Sequence, residues 1–189
     1  MKTLNLVLAV VILLSSNVVF AQKVEVDTKK SSVEWLGKKI GGQHEGNIQI
    51  KSGSFELKND KIVAGNFVLD MTSITNTDLE DQGYNQKLVG HLKSDDFFGV
   101  EKFPTANFTI TKNSKFSDGK ATVTGNVTIK GKTEIITFDV VKTGNEYTAK
   151  IDIDRSKFGV KYGSNSFFDN LGDKAIDDVF TLEIKLAVN

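Results

Sequence analysis

The segment Tyr147–Arg155 reads YTAKIDIDR. Tyr147, Ala149, Ile151 and Ile153 fall on one face, and Thr148, Lys150, Asp152 and Asp154 on the other. Apolar residues at every second position describe a strand that buries one face and wets the other. The same period recurs along the chain. FTLEIKLAV sets Phe180, Leu182, Ile184, Leu186 and Val188 against Thr181, Glu183 and Lys185. ATVTGNVTIKG sets Val123, Val127 and Ile129 against Thr, Asn and Lys, and TANFTITKN does the same with Phe108 and Ile110. Weaker faces carry Ile136, Phe138 and Val140 in one segment, and Val63, Phe67, Leu69 and Met71 in another. Nearer the start, Val24 with Val26, Val33 with Trp35, and Ile48 with Ile50 pair up, then Phe55 with Leu57 after a Ser-Gly-Ser interruption.

Turn chemistry separates these segments at Lys58-Asn59-Asp60, Ser117-Asp118-Gly119, Gly131-Lys132 and Thr143-Gly144-Asn145. Short links in chain order predict an all-β, antiparallel up-and-down meander of about eight strands. Closing such a sheet on itself leaves no exposed edge, so a single β-barrel is expected. Its interior would be filled by side chains or hold one small ligand.

Two stretches break the period. Between Asn76 and Phe103, YNQKLVGHLKS places Leu88 and Leu92 four apart with His91 beside them, which predicts a short amphipathic helix. It leads into Ser94, Asp95 and Asp96, a turn, then the pair Phe97–Phe98, Phe103 and Pro104, the chain's only proline. Pro104 holds Phe103 extended. The second stretch, 159–178, has its own pair, Phe167–Phe168. Long irregular insertions in a compact domain are usually functional. Either the phenylalanines guard the mouth of an apolar cavity, or they complete an ordinary core beneath a loop.

The chain of 189 residues opens MKTLNLVLAVVILLSSNVVFAQ. A lysine, a short apolar run, and the small residues Val19 and Ala21 before a cut after Ala21 predict a secretory signal peptide over 1–21. The run is short for a membrane span, so no transmembrane segment is expected after cleavage. The domain is then 22–189. There is no cysteine, so there is no disulfide, no thiolate and no N-terminal lipid anchor; an exported chain of this kind suits a bacterial envelope. Lysine plus arginine and aspartate plus glutamate both number 24, which gives no basic footprint for nucleic acid.

Chemistry-bearing motifs are sparse. His44 and His91 are the only histidines and have no Cys, so no metal site is expected. The acidic stretches lack calcium-loop spacing. GNVTIKGKT has its glycines one residue too far apart for a phosphate loop and lies in a hairpin. The sequons at Asn107 and Asn126 fall in predicted strands and are expected to be unused. No nucleophile has a base and an orienting acid; His91 with Asp96 is the one pair an enzyme could draw on. No catalytic residue and no cofactor are expected.

GHLKSDDFFGVEKFPTANFTI, VTGNVTIKGKTEIITFDV and IDRSKFGVKYG together resemble the YceI-like family of bacterial exported proteins. The resemblance runs from VEWLGKKIGGQHEGNI to FTLEIKLAV, and its carriers are His91, Leu92, Ser94, Asp96, Phe97, Phe98 and Pro104. It implies a lipocalin-like barrel with one or two short helices, a pore for polyisoprenoids, isoprenoid quinones or related lipids, a periplasmic or secreted location, and often a homodimer. Gly99 stands where the family tends to carry Asp, and this departure is expected to loosen the loop. On this reading Trp35, Phe67, Leu69, Met71, Phe108, Ile110, Val127, Ile129 and Phe138 form the wall. Leu88 and Leu92 lie at its helix, and Phe97, Phe98, Phe167 and Phe168 guard the mouth. The competing expectation is a barrel with a filled core whose loops meet a protein partner.

Overall fold

The computed structural model describes residues 21–112 and 114–188; most of the predicted signal peptide lies outside them. The strands are β1 (Gln22–Glu25), β2 (Ser32–Lys39), β3 (Gly42–Asn47), β4 (Gln49–Lys58), β5 (Lys61–Asp70), β6 (Thr105–Lys112), β7 (Ser114–Lys115), β8 (Lys120–Ile129), β9 (Lys132–Thr143), β10 (Glu146–Asp154) and β11 (Val179–Ala187). One helix, α1 (Gln82–Lys93), lies between β5 and β6. Every pairing is antiparallel.

Hydrogen-bonded neighbours run β1-β4-β5-β6-β8-β9-β10-β11-β2-β3, with the two-residue β7 beside β5. Only Ile48 separates β3 from β4, so one bent run pairs β2 with its first part and β5 with its second. The sheet therefore returns to its start, as a lipocalin-like up-and-down barrel does. Eight strands make the circuit: β2, the β3–β4 run, β5, β6, β8, β9, β10 and β11. β1 lies along β4, and Val26 bridges to Val188 just past β11, which covers the remaining seam.

The hairpin turns use the residues their geometry demands. Asn59 and Asp60 both take positive φ, as do Asp118 with Gly119 and Lys130 with Gly131. Such turns match the right-handed twist of the flanking strands.

Two register shifts alter the predicted faces. β4 slips between Ile50 and Ser52, so the strand continues through the Ser-Gly-Ser interruption and resumes burial at Gly53 and Phe55. The β4–β5 ladder slips again at Leu57↔Ile62, so Ile62, not Val63, shares the buried face with Phe67. A bulge inserts one unpaired residue and reverses the parity of everything beyond it. No apolar alternation announces β3, whose sequence GQHEGN pairs β2 through its backbone alone.

Candidate ligand-binding site

The interior of the barrel holds two cavities of about 120 Å3 each. The inner one is lined by apolar side chains from the strands around the circuit, among them Phe67, Leu69, Phe108, Ile110, Val127 and Phe138. The outer one is lined by Trp35, Leu88, Leu92, Phe97, Phe98, Phe180 and Arg155, with His44 and His91 at its rim.

The two cavities lie end to end. On β2 the lining passes from Val33 in the inner cavity to Trp35 in the outer one, and on β11 from Leu182 to Phe180. On the β3–β4 run it passes from Ile50 to Ile48, and along β10 from Ile153 to Arg155 just beyond it. Each step is two residues, the distance between successive inward positions on a strand. Together they line the pore of the barrel, on the β10 side from Tyr147 to Arg155, about 27 Å measured along the strand.

The inner end is blind. Phe55 meets Tyr147 edge-on at 4.9 Å between ring centroids, and Phe116 meets Tyr147 at 6.0 Å. Lys142 Nζ stands 5.9 Å above both the Phe116 and Tyr147 rings.

The outer end is built by the irregular stretches. Asp81 caps α1 by accepting from the Tyr84 amide at 2.9 Å, and the helix turns Leu88 and Leu92 toward the pore. A strap before the helix lies on the open edge of β3: Thr75 N donates to Asn47 O and Thr77 N to Glu45 O, both at 3.0 Å. Trp35 Nε1 donates to Thr75 O at 3.0 Å, and a Cβ on Gly46 would lie 1.9 Å from that same oxygen, so only glycine admits the strap. His44 Nδ1 is 2.8 Å from Asp78 Oδ2, and Asp78 Oδ1 accepts from the Glu45 amide at 2.9 Å. Burial pushes the Asp78 carboxyl up, but the Glu45 amide, His44 and Asn76 outweigh it and hold it below the ordinary aspartate value.

Beyond the helix, Ser94 Oγ donates to His91 O at 2.8 Å, so Ser94 shapes the turn. Gly99 does not loosen this loop. Its φ is +58°, a left-handed value that suits glycine, and its N–H donates to Ser94 O at 2.7 Å. Lys130 Nζ donates to the carbonyls of Asp95 and Phe97 at 2.8 and 2.6 Å. Phe97 meets Phe98 edge-on, and Phe98 meets Phe180. Pro104 O accepts from the Met71 amide at 3.0 Å, which ties the loop's exit to β5's end.

Arg155 is the functional residue that the apolar pattern does not single out. It is 2% exposed. Its guanidinium donates to Asp177 O, Val160 O, Tyr162 O and Ile176 O at 2.9–3.1 Å. Nη2 is 3.4 Å from Asp178 Oδ1, and the guanidinium lies 5.3 Å from the Phe97 ring centroid. Burial lowers its pKa, and the charges of Asp178, Asp154 and Asp177 oppose that shift. A planar fork of fixed donors suits four carbonyls from one folded loop. The sequence did carry a signal: Arg155 is the chain's only arginine.

The predicted site residues thus divide. Phe67, Leu69, Phe108, Ile110, Val127 and Phe138 meet in the inner cavity. Trp35, Leu88, Leu92, Phe97 and Phe98 meet in the outer one. Met71 and Ile129 are buried in the core without lining either cavity. His91 lies between Phe97 and Tyr162, with centroids at 5.8 and 4.3 Å. Asp96 stays on an outer groove that His91 shares. Phe167 and Phe168 stand apart, 41% and 49% exposed, outside both linings. Their loop is held by Arg155 through its carbonyls, which leaves the rings free to turn outward. Among the described residues no cluster of three or more His, Cys, Asp or Glu side chains has metal-binding geometry. No described helix is long and apolar enough to cross a membrane.

A closed antiparallel meander around an apolar pore defines the lipocalin-like class of β-barrel. Within it, the profile of the YceI-like domain matches residues 25–188, and the chain belongs to that family. A UPF0312 protein of Vibrio vulnificus is 35% identical over 95 residues, which cover 49% of this chain and 47% of that one. A UPF0312 protein of Yersinia enterocolitica is 34% identical over 93 residues, covering 49% and 44%. The matches span less than half the length of these relatives. The crystal structure of Burkholderia cenocepacia BcnA superposes with a TM-score of 0.64 at 26% identity, over 87% of this chain and 99% of that one. A polyisoprenoid-binding domain from Saccharophagus degradans superposes at 0.60 with 12% identity, over 88% and 97%. At that identity the likeness is one of fold.

Proposed function

We propose that the protein binds and carries, without chemical turnover, a long-chain apolar ligand of the polyisoprenoid, isoprenoid quinone or related lipid class. It would do so outside the cytoplasm, after removal of its signal peptide. The observation that carries this reading is the state of the inward side chains. Phe67, Leu69, Phe108, Phe138 and Ile184 point into the barrel yet remain only half-buried, because they face empty space. A filled core would bury them. Two cavities in line suit a linear chain better than a compact ligand.

Each free volume is below the ~300–1,000 Å3 of pockets that take drug-sized molecules. A long tail therefore needs the lining phenylalanines to rotate, and the partly exposed rings have room to do so. Each CH2 buried contributes about 0.8 kcal/mol, so a tail is held tightly with no charged contact. Arg155, the buried cation of the outer cavity, already donates to four carbonyls and serves the loop rather than a headgroup; Lys38 and Lys39 line the same cavity from its exposed side.

Native mass spectrometry of the protein purified from its own envelope, with organic extraction, tests this directly. A discrete added mass that extracts as an isoprenoid or lipid is expected. Phe108→Asp, placed in the middle of the inner lining, should fold by circular dichroism and abolish uptake of added polyprenol. A folded variant that binds as before would refute the wall.

A further inference from the structure

The barrel wall is zipped unevenly. β9 pairs β8 at ten positions, from Lys132 to Val141, but pairs β10 at only four, from Val140↔Ala149 to Thr143↔Glu146. β10 meanwhile stays paired with β11 down to Asp154. Residues 133–139 of β9 and 150–154 of β10 therefore have no ladder between them, which leaves a slit in the wall. The slit closes again at its far end, where a Cβ on Gly159 would lie 3.0 Å from Lys132 Nζ. Five residues of β10 make the slit about 17 Å long.

Its flanks are apolar on the inside. Ile136 and Phe138 on one side and Ile151 and Ile153 on the other all line the inner cavity. Ile135, 72% exposed, sits on the outer rim. At the zipped end an outer depression of about 560 Å3 shares Thr148, Ala149 and Ile184 with the inner cavity. Thr148 belongs to the outer face and the other two to the inner, so this part of the wall is reached from both sides. Backbone groups along an unmade ladder are not committed to a strand partner.

We propose that this slit is a lateral portal, through which the hydrocarbon tail of an amphiphile slides sideways into the pore. The proposal rests on the reading that the pore holds such a tail. The two ends are costlier routes. At the inner end the Phe55–Tyr147 contact is closed. At the outer end a tail must displace the packing of Leu88, Leu92 and Phe98 and the strap on β3. At the slit no strand hydrogen bond has to break.

The chain has no cysteine, so two introduced ones can be linked without competition. Continuing the register beyond Val140↔Ala149 sets Thr137 opposite Asp152, both on the outer face. Thr137→Cys with Asp152→Cys, joined by a short reducible bis-maleimide, staples the slit. Thr143→Cys with Glu146→Cys, joined likewise, staples a pair that is already zipped and lines neither the inner cavity nor the outer depression. Uptake of geranylgeraniol is followed by stopped-flow fluorescence of Trp35, the only tryptophan, which lines the outer cavity. Stapling the slit should slow uptake and release about tenfold or more, and reduction of the linker should restore both. The zipped-pair staple should leave the rates within about twofold. Unchanged rates in the stapled slit overturn the portal. So does a dimer that dissociates on stapling while uptake is unaffected, which would assign the slit to strand pairing between copies. Failure of the unstapled protein to bind geranylgeraniol or any other polyprenol instead defeats the carrier reading, and the portal falls with it.

Discussion

The two irregular stretches each carry a pair of adjacent phenylalanines, and the fold treats them in opposite ways. Phe97 is 8% exposed and Phe98 packs on Phe180, whereas Phe167 and Phe168 stand on the surface. The difference lies in what anchors each loop. The loop after α1 is held from inside by its rings, with Lys130 gripping two of its carbonyls from outside. The loop over 159–178 is held from inside by a guanidinium that grips its carbonyls, and it needs no ring in the core. Arg155 lies against Phe97, so the two anchors meet at the outer cavity. Identical dipeptides therefore say little about burial; the backbone's partner decides it.

Removing the guanidinium should have the largest effect. Arg155→Ala leaves four loop carbonyls without their donor and Asp178 without its counter-charge, and should cost about 3–5 kcal/mol in urea unfolding. Limited proteolysis should then cut within 159–178 while the loop after α1 stays resistant. Arg155→Lys should recover only part of the loss, because an ammonium lacks the planar fork. A fully stable Arg155→Ala would show that the second loop is held by something else.

The ring-anchored loop answers to a different change. Phe97→Ala should destabilise by about 3 kcal/mol, since it empties a site packed by Phe98, His91 and Arg155. Phe167→Ala and Phe168→Ala should stay within about 0.5 kcal/mol, as substitutions of surface side chains usually do. Lys161 Nζ lies 5.1 Å over the Phe167 ring, an exposed contact of small worth. Comparable losses from both pairs, measured by the same urea titration, would break the contrast.

The meander was legible because alternation is a local property. Tyr147 to Ile153 and Phe180 to Leu186 keep strict parity, and both line the pore as the period predicts. Parity failed at Val63, where a register shift hands the buried face to Ile62; a bulge leaves no mark in a hydrophobic pattern. β3 was invisible because its pairing is made by backbone groups that every sequence carries. The helix positions of Leu88 and Leu92 were readable from their spacing. The role of Arg155 was not, since its partners are carbonyls up to 22 residues away, and carbonyls have no sequence signature. The available signs were that it is the sole arginine and that it continues the inward parity of Tyr147, Ala149, Ile151 and Ile153.

The subtlest distinction between the two loops is acidity. Only the second has a carboxylate within its buried anchor; the Asp95–Lys102 pair of the first is fully on the surface and worth little. Burial pushes the Asp178 carboxyl up, but the Ser164 and Ser166 hydroxyls and the Arg155 charge outweigh it, so it titrates below the ordinary aspartate value. A carboxylate whose pKa is lower folded than unfolded contributes stability above the unfolded value of ~3.9 and loses it as pH falls through the folded one. Amide hydrogen exchange at falling pH should therefore show protection fading first at Val160 and Ile176, whose N–H groups bond to Arg155 O and Gly163 O. Protection at Phe97 and Gly99, which both donate to Ser94 O, should outlast it. Asp178→Asn should remove the acid step from the second loop and leave the first unchanged. If both loops instead lose protection together in parent and variant alike, the anchors are one cooperative unit, and the ring and the guanidinium hold a single lid.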